Sequence, residues 1–386
     1  MKITGIICEY NPFHLGHAGQ IRKIRSQLGE DSAIVCLMSG DYVQRGAPAI
    51  FPKAARAKAA LQAGADLVLE LPVTYALRSA EGFAAGGVSI LSDFCDYLSF
   101  GSESGDTVRL MKTAAALLSP AWEAALRLQL DTGISFPAAR QAALEQLGLD
   151  SSLLQNPNDI LAVEYCKAIL KEGSGLQPLV IHRGGSYHST EADRENPSAT
   201  FLRQELLAGR HWEAYVPQSA AAIYQDAPMH SMAAGERAVL ARLRTMSDGE
   251  FEALPFGSEG LWRKLMHACR SGASVEQIAQ DVKSKRYTRT RIDRMILCAY
   301  LGITETMLQQ QVPYVRVLAC SERGQKVLRL ARQRGCYPHA GEKQEHPYWM
   351  LEQRWSDLYG LFREDAPAPA GLAAQQRMVI EKRTGV

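Results

Sequence analysis

Apolar residues in the first 215 positions recur with two alternating periods. Short continuous apolar runs, bounded by glycine, proline or polar residues, are typical of buried strands. Between them, apolar residues are spaced three or four apart, as on one face of a helix. The predicted strands cover residues 3–10, 33–38, 66–71, 97–100 and 177–183. This alternation predicts an α/β fold with a doubly wound parallel sheet.

The pattern changes at two places along the chain. Residues 106–157 have helical spacing over a length greater than one crossover connection, which predicts a helical insertion. Residues 216–232 are mixed in character and are predicted to form a linker, after which helices dominate and no strand is expected. We therefore divide the chain into an α/β domain, residues 1–215, and a mainly helical domain, residues 216–386.

Composition excludes several classes of protein. With 46% hydrophobic and 22% charged residues, the 386-residue chain is an ordinary globular protein, and its net charge of +2 points to no polyanionic partner overall. The eight cysteines show no CxxC spacing or zinc-site pattern. No apolar run reaches the roughly 18 residues of a membrane span, and no signal-peptide pattern is present. We expect a cytoplasmic protein, and the sequence predicts no oligomeric state.

The turn after the first predicted strand contains the most distinctive candidate residues. Residues 11–17 read Asn-Pro-Phe-His-Leu-Gly-His and precede a predicted helix that ends at Gly29. In a strand–turn–helix unit, the free N–H groups and the positive end of the helix face the turn and favour a phosphate. His14 and His17 are three residues apart, so both can donate to phosphate oxygens from one side of the helix. On spacing alone, a capping turn with two surface histidines is an equally good explanation.

Polar residues at the ends of other predicted strands are expected at the same edge of the sheet. Residues 39–46, Gly101 and Arg183 are these strand-end candidates, and Asn158 is considered with them at the start of a predicted helix. Glycine lets a ligand approach the backbone, and arginine can pair with phosphate oxygens. Structural alternatives are a polar loop, a turn, a surface ion pair and a helix N-cap, respectively.

Two further segments carry candidate residues. Ser198 and Thr200 are predicted at the start of a helix whose first turn holds Arg203, where a simple helix cap is the alternative explanation. In the second domain, a basic run joins a helix that begins at Ser274 to one that ends at Gly302. A solvated surface and a nucleic-acid site explain this run equally well. The candidate nucleic-acid contacts are Lys283, Lys285, Arg286, Arg289 and Arg291, with Tyr287 as a residue on which a base can stack.

These blocks together resemble a known family. His14-x-Gly16-His17 matches the HxGH signature of the nucleotidyltransferases and class I aminoacyl-tRNA synthetases, and residues 198–203 resemble the Ser-x-Thr-x-x-Arg form of their second signature. The longer blocks at residues 8–17, 38–46 and 100–103, and the run at 287–291, are similar to the bacterial tRNA(Met) cytidine acetate ligase family. The similarity covers nearly the whole chain and weakens after about Gly335.

The resemblance implies an ATP-dependent enzyme that activates acetate as acetyl-adenylate. It further implies transfer of the acetyl group to N4 of the wobble cytidine in elongator tRNA(Met). The expected catalytic residues are His14, His17 and Arg203, with Mg²⁺ held by the nucleotide phosphates and no metal site made of protein side chains. The expected ATP contacts are Ile7, Cys8, Glu9, Tyr10, Asn11, Pro12, Phe13, His14, Leu15, Gly16, His17, Ala18, Gly19, Gln20, Gly101, Asn158, Arg183, Ser198 and Thr200.

Three other functions are compatible with parts of the pattern. A coenzyme-forming adenylyltransferase shares the HxGH signature but needs no large basic helical domain. A class I aminoacyl-tRNA synthetase fits poorly, because the chain lacks a KMSKS run. A nucleic-acid-binding protein with a non-catalytic nucleotide domain is less consistent with the presence of His14, Gly16, His17 and Arg203.

Overall fold

The fold is taken from a computed structural model that describes residues 1–183, 197–312, 314–335 and 346–380. The strands are β1 Ile3–Cys8, β2 Ala33–Ser39, β3 Tyr42–Val43, β4 Ala47–Pro48, β5 Leu67–Leu71, β6 Tyr97–Ser102, β7 Gln177–His182, β8 Arg316–Cys320 and β9 Val379–Ile380. The helices are α1 Leu15–Leu28, α2 Lys53–Gln62, α3 Val73–Ala76, α4 Ala80–Ser92, α5 Thr107–Leu117, α6 Pro120–Asp131, α7 Phe136–Gln146, α8 Pro157–Lys171, α9 Ala199–Leu207, α10 Gln218–Gln225, α11 Met232–Thr245, α12 Asp248–Glu252, α13 Leu261–Ser271, α14 Val275–Val282, α15 Arg289–Leu301, α16 Glu305–Gln309, α17 Glu322–Gln333, α18 Pro347–Tyr359 and α19 Leu372–Gln375.

The central sheet has the order β7-β6-β1-β2-β5-β8-β9. The five strands from β7 to β5 are mutually parallel, as the alternation of apolar runs and helices predicts. The chain moves outward from β1 through β2 to β5, then returns to place β6 on the other side of β1. This reversal creates a crevice at the carboxyl ends of β1 and β6, where open α/β sheets bind ligands.

Each face of the sheet is covered by helices, so the strands are buried on both sides. Ile3 and Ile7 of β1 pack into an apolar core with residues of α4, α5 and α8. Ile6 and Cys8, which alternate with them, pack on the opposite face with residues of α1, α2 and α10. Burial of both faces explains why the parallel strands are continuous apolar runs.

Two expectations for the second half of the chain are wrong. The predicted linker contains α10, which packs against α2 and buries Tyr224 with its ring 4.3 Å from that of Phe51. Strands also continue beyond residue 216, because β8 pairs antiparallel with β5 and β9 pairs parallel with β8. The division into two domains at residue 215 therefore stays a prediction. The central sheet contains strands from both sides of that position. Helices α11 to α16 and α18 form their own apolar core.

A buried guanidinium connects the loops after β1 and β2. Arg56 of α2 is fully buried and donates from Nε to the Phe51 carbonyl at 2.9 Å and from Nη1 to the Ser39 carbonyl at 3.1 Å. It also donates to the carbonyls of Glu9 and Gly40. Because charge-assisted hydrogen bonds are strong, these contacts fix the two loops that border the crevice.

Buried charges also connect the sheet to the C-terminal helices. Lys53 Nζ lies 2.7 Å from Glu70 Oε1 and 3.2 Å from Asp41 Oδ2. Asp41 accepts a hydrogen bond from Ser356 Oγ of α18 at 2.7 Å. The neighbouring Lys53 lowers the pKa of Asp41 against the opposing effect of burial, and these carboxylates raise the pKa of Lys53. Asp41 and Lys53 are therefore both charged at neutral pH.

We expect Lys53→Ala to lower the free energy of unfolding by about 3–5 kcal/mol, because it removes the cation closest to two buried carboxylates and leaves Glu70 with Arg316 at 3.8 Å. Urea unfolding measures this loss. Lys58→Ala is the matched control, since Lys58 is an exposed lysine on the same helix, and it should change stability by less than about 0.5 kcal/mol. Equal effects of the two substitutions would contradict a stabilising role for the buried cluster.

No helix in the described part of the chain is long and apolar enough to cross a membrane.

Candidate active site

A cleft of about 890 Å³ opens at the carboxyl ends of β1 and β6. This is within the range of volumes that small-molecule sites usually have. Its walls come from the turn after β1, from α1, α4 and α8, and from the ends of β6 and β7. The structure thus brings the strand-end candidates of the sequence to one place.

The turn between β1 and α1 is held by contacts from distant parts of the chain. Asn11 precedes Pro12 in a cis peptide bond, and its side-chain oxygen accepts a hydrogen bond from Ile50 N at 2.8 Å. The backbone N–H of Phe13 donates to the hydroxyl of Tyr224 at 3.0 Å. These contacts satisfy the turn's polar groups, so it presents the start of α1 in one conformation.

His14 and His17 form a stacked pair at the N-terminus of α1. Their ring centroids are 3.6 Å apart with an interplanar angle of 23°. The His14 backbone N–H donates to His17 Nδ1 at 3.2 Å, so neutral His17 carries its proton on Nε2. His17 lines the cleft, where that Nε2–H is a donor for a ligand, whereas His14 is buried behind it at 1% exposure.

Both histidines are uncharged at neutral pH. Burial, and then the positive charges of Arg183 and Arg203, lower the pKa of His14 to about 3. Burial is also the largest cause of the lowered pKa of His17, followed by His14 and Arg183. The pair therefore offers neutral N–H donors rather than cations.

Arg203 reaches the turn from the start of α9. Its Nη1 donates to the Asn11 carbonyl at 2.7 Å, and its Nη2 donates to Thr200 Oγ1 at 3.0 Å. Ser198 caps α9, as predicted, by accepting from Phe201 N at 3.1 Å. Arg203 is the fifth residue of the helix, so the expectation that it lies in the first turn is wrong.

Arg183 is positioned by a chain of polar contacts at the far side of the cleft. Its Nη1 donates to Asn158 Oδ1 at 3.0 Å, and Asn158 Nδ2 donates to Glu103 Oε1 at 2.7 Å. The N-cap of α8 is Asn156, so the capping role considered for Asn158 is wrong. A Cβ at Gly101 would lie 2.6 Å from Arg183 Cδ, so glycine is needed for this arginine to cross the end of β6.

The loop after β2 contributes to the cleft as the sequence predicts. Gln44 and Arg45 line the cleft beside the first turn. Gln44 N donates to Glu9 Oε1 at 2.8 Å, which joins the loop to the turn. Asp41, from the same segment, instead points into the buried cluster with Lys53.

Positive charge predominates among the described residues that line the cleft. Four are arginine or lysine, Arg22, Lys23, Arg45 and Arg183, against one acid, Glu9. Within the described ranges, no group of three or more His, Cys, Asp or Glu side chains is arranged to hold a metal ion. The wall therefore suits a polyanion, and the expectation that nucleotide phosphates hold Mg²⁺ stays a prediction.

Comparisons with known proteins agree with this geometry. The family described as HIGH Nucleotidyl Transferase matches residues 1–370. A protein of Syntrophomonas wolfei named tRNA(Met) cytidine acetate ligase is 38% identical over 350 residues, covering 85% of this chain and 84% of that protein. One of Alkaliphilus metalliredigens with the same name is 35% identical over 370 residues, covering 88% and 87%. The chain belongs to the tRNA(Met) cytidine acetate ligase family, within the HIGH nucleotidyl transferases.

Solved structures extend this similarity to three dimensions. Thermotoga maritima TmcAL bound with alpha-thio ATP superposes with a TM-score of 0.87 at 28% identity, over 99% of this chain and 100% of that one. The apo form of the same protein gives a TM-score of 0.89, over 98% and 99%. The doubly wound sheet with a helical C-terminal region is therefore the fold of this ligase family.

The cleft has the features that a bound ATP requires. Leu15 and Gly16 at the start of α1 line the cleft, where the first N–H groups of a helix have no partner within the helix, and His17 adds a neutral donor. His14 Nδ1 is buried and has no hydrogen-bond partner among the described residues, a vacancy that ligands or waters commonly fill. These groups, together with Arg183, fit a triphosphate.

Most predicted ATP contacts line the cleft, and some do not. Those in the wall are Ile7, Cys8, Glu9, Tyr10, Asn11, Leu15, Gly16, His17, Gly19, Gln20, Gly101, Asn158 and Arg183. Those outside it are Pro12, Phe13, His14, Ala18, Ser198 and Thr200, and Arg203, predicted as a catalytic residue, is also outside it. The sequence missed Arg22 and Lys23 on α1, and the apolar wall of Phe83, Leu161 and Tyr165. The apolar residues share their spacing with ordinary core positions, so no local signal distinguishes them.

The basic run between α14 and α15 has a helix-turn-helix arrangement, but most of its side chains have partners within the protein. Arg286 pairs with Glu259, and Arg289 pairs with both Glu276 and Asp293. Arg291 donates to the Phe256 carbonyl at 2.6 Å. Lys283 and Lys285 are exposed.

Tyr287 is not placed to stack on a base. It is 9% exposed and packs into the apolar core of the C-terminal helices, with Arg291 5.1 Å above its ring. We therefore assign it a structural role instead of the predicted contact.

We expect acidification to destabilise the native protein partly through His14. The unfolded chain takes up this proton near pH 6.5, and the native state only near pH 3. Between these values the unfolded state binds more protons, so stability falls as pH falls, by about 1.4 kcal/mol per unit. Urea unfolding should show that the parent loses about 2 kcal/mol more than His14→Gln between pH 6.5 and 5.0. Identical losses would contradict a buried, neutral His14.

Proposed function

We propose that this protein activates acetate with ATP and transfers the acetyl group to N4 of the wobble cytidine of elongator tRNA(Met). The observation that carries the proposal is a cationic cleft beside an HxGH turn. Two relatives named tRNA(Met) cytidine acetate ligase align over at least 85% of this chain. A coenzyme-forming adenylyltransferase has no comparable support among these relatives.

Nucleotide binding is proposed to use the half of the cleft over β6 and β7. The triphosphate lies at the N-terminus of α1, where backbone N–H groups and His17 Nε2–H donate to its oxygens. Arg183, held by Asn158 at 3.0 Å, faces the phosphates. Gly101 leaves the end of β6 open for the arginine and the nucleotide.

In the first step, an acetate oxygen attacks the α-phosphorus and the bond to the pyrophosphate oxygen breaks, giving acetyl-adenylate. Negative charge on the transferring phosphoryl group is stabilised by donors that are already oriented. His17 is the proposed catalytic donor. Arg203 acts through the turn, because its guanidinium holds the Asn11 carbonyl and its charge keeps His14 neutral. Mg²⁺ carried by the nucleotide supplies further charge neutralisation.

In the second step, the N4 amine attacks the acetyl carbon, the carbon–oxygen bond to AMP breaks, and the nitrogen loses a proton. The mixed anhydride must be protected from water until then. Phe83, Phe100 and Tyr165 form an apolar wall in the cleft that excludes water from this intermediate.

The transfer RNA is proposed to bind along the α14–α15 turn. Lys283 and Lys285 are the exposed cations there, and Arg286 is 65% exposed although it pairs with Glu259. Arg289 and Arg291 remain candidates, but their internal partners mean that they also hold the turn together. Tyr287 is omitted from this surface.

We expect His17→Ala to lower acetate-dependent ATP–pyrophosphate exchange by about 10²–10³, the usual effect of removing one transition-state donor. The exchange of labelled pyrophosphate into ATP measures this step without tRNA. His211→Ala is the control, because His211 is an exposed histidine outside the cleft wall.

Formation of N4-acetylcytidine in tRNA(Met), followed by nucleoside mass spectrometry, tests the whole reaction. Parent protein that consumes ATP with acetate but leaves this tRNA unmodified would refute the proposed acceptor. Unchanged exchange in His17→Ala would refute the catalytic assignment alone.

We expect the double substitution Lys283→Glu, Lys285→Glu to weaken tRNA binding and to reduce its salt dependence. Each phosphate contact releases about one condensed counterion, so the slope of log affinity against log salt should fall by about two. These lysines are better targets than Arg286 and Arg289, whose reversal would place new carboxylates beside Glu259 and Glu276.

The matched control is Lys58→Glu, Lys326→Glu, which reverses two exposed lysines on α2 and α17. Filter binding over a salt series provides both affinities and slopes. If the two double variants behave alike, the α14–α15 turn is a solvated surface without a special role in tRNA binding.

A further inference from the structure

The hairpin of β3 and β4, residues 42–48, connects the cleft to the helix that carries the basic run. Its tip lies directly on the backbone of α15. A Cβ at Gly46 would be 2.4 Å from Arg294 N and 2.5 Å from Asp293 C. Gly46 also has φ +80°, a conformation that favours glycine, so this close contact depends on that residue.

Gln44, two residues before the tip, is held from three sides. Its N–H donates to Glu9 Oε1 at 2.8 Å, and its carbonyl accepts from Arg294 Nη1 at 3.4 Å. Its side-chain amide donates to the Arg78 carbonyl at 3.3 Å. The backbone on both sides of Arg45 is therefore fixed relative to the first turn and to α15.

Arg45 itself is exposed and lines the cleft. In the sheet order β7-β6-β1-β2, the residues proposed to hold the nucleotide, Gly101 and Arg183, lie on one side of β1. The hairpin follows β2 on the other side. A second substrate that reaches the acetyl carbon of the adenylate must enter from a side that the nucleotide leaves open, and Arg45 follows β2 on that side.

We propose that Arg45 is an RNA-positioning residue, which binds a backbone phosphate next to the target cytidine and directs that base into the cleft. This inference rests on the proposed acetylation of tRNA. An exposed guanidinium at the rim of a cleft can donate two parallel hydrogen bonds to the oxygens of one phosphate while it stays in contact with solvent. The hairpin thereby connects the RNA bound along α14 and α15 to the acyl group in the cleft.

Glu9, which is hydrogen-bonded to this hairpin, is compatible with phosphate binding by Arg45. Glu9 Oε1 accepts a hydrogen bond from the Gln44 N–H, and this bond partly offsets the negative charge of the carboxylate. Among the described residues in the cleft wall it is the one carboxylate, against four cationic side chains. The local field at the rim therefore attracts the RNA backbone.

The test compares the full-length parent with Arg45→Ala, Arg45→Lys and Arg329→Ala. Arg329 is an exposed arginine on α17 outside the cleft wall, so its loss controls for net charge. Three quantities are measured: the KM for tRNA(Met) in acetylation, the KM values for ATP and acetate in tRNA-free pyrophosphate exchange, and tRNA affinity over a salt series.

We expect Arg45→Ala to raise the KM for tRNA about tenfold, the effect of losing one charge-assisted contact, and to lower the salt slope by about one. Arg45→Lys should recover most of both, because a lysine also binds phosphate as a point charge. The KM values for ATP and acetate should rise less than twofold, and Arg329→Ala should match the parent.

Two results would overturn the inference. An unchanged KM for tRNA in Arg45→Ala would show that the residue has no part in RNA binding. An equal rise in the KM for ATP or acetate would assign Arg45 to the small-molecule site. If the parent shows no acetate-dependent exchange, the proposed function fails by itself, and the tRNA affinities and salt slopes still decide the role of Arg45.

Discussion

The fully buried guanidinium of Arg56 is the constraint on which the cleft depends. It donates to the carbonyls of Glu9, Ser39 and Gly40, at the carboxyl ends of β1 and β2. A buried carbonyl left without a donor costs about 1–3 kcal/mol. The same cation therefore stabilises the fold and sets the spacing between the histidine turn and the hairpin that bears Arg45.

Around this anchor, the site combines two positioned arginines with neutral donors. Arg183 and Arg203 contact Asn158 and Asn11, and burial, with the charge of Arg183 as a smaller cause, lowers the pKa of both stacked histidines. A neutral imidazole donates a hydrogen bond to an oxygen but binds a product anion less strongly than an imidazolium would. This arrangement suits an enzyme that must bind ATP, transfer AMP and then release both pyrophosphate and AMP.

The helical C-terminal region contributes to the α/β unit and also carries the proposed tRNA surface. Strand β8 extends the sheet, Tyr224 supports the histidine turn, and Ser356 hydrogen-bonds with Asp41 in the buried charge cluster. Arg294 and Gly46 join α15 to the rim of the cleft. The two halves are therefore packed together, so the proposed tRNA surface along α14–α15 is in direct contact with the rim of the cleft.

The sequence by itself determined the features that depend on near neighbours. Alternating apolar runs predicted the five parallel strands, because a strand buried on both faces excludes polar residues. The turn from Asn11 to His17, the cap at Ser198 and the loop with Gln44 and Arg45 were likewise visible, since each is set by residues a few positions apart.

Only the tertiary structure decided what depends on distant partners. Phe13 and Tyr224 meet across 211 positions, and β8 pairs antiparallel with β5. Tyr287 is buried and the arginines beside it are paired with acids. The sequence shows that a charged or aromatic residue is present, but not whether its side chain faces solvent or another residue. Only the packing of distant segments decides these contacts.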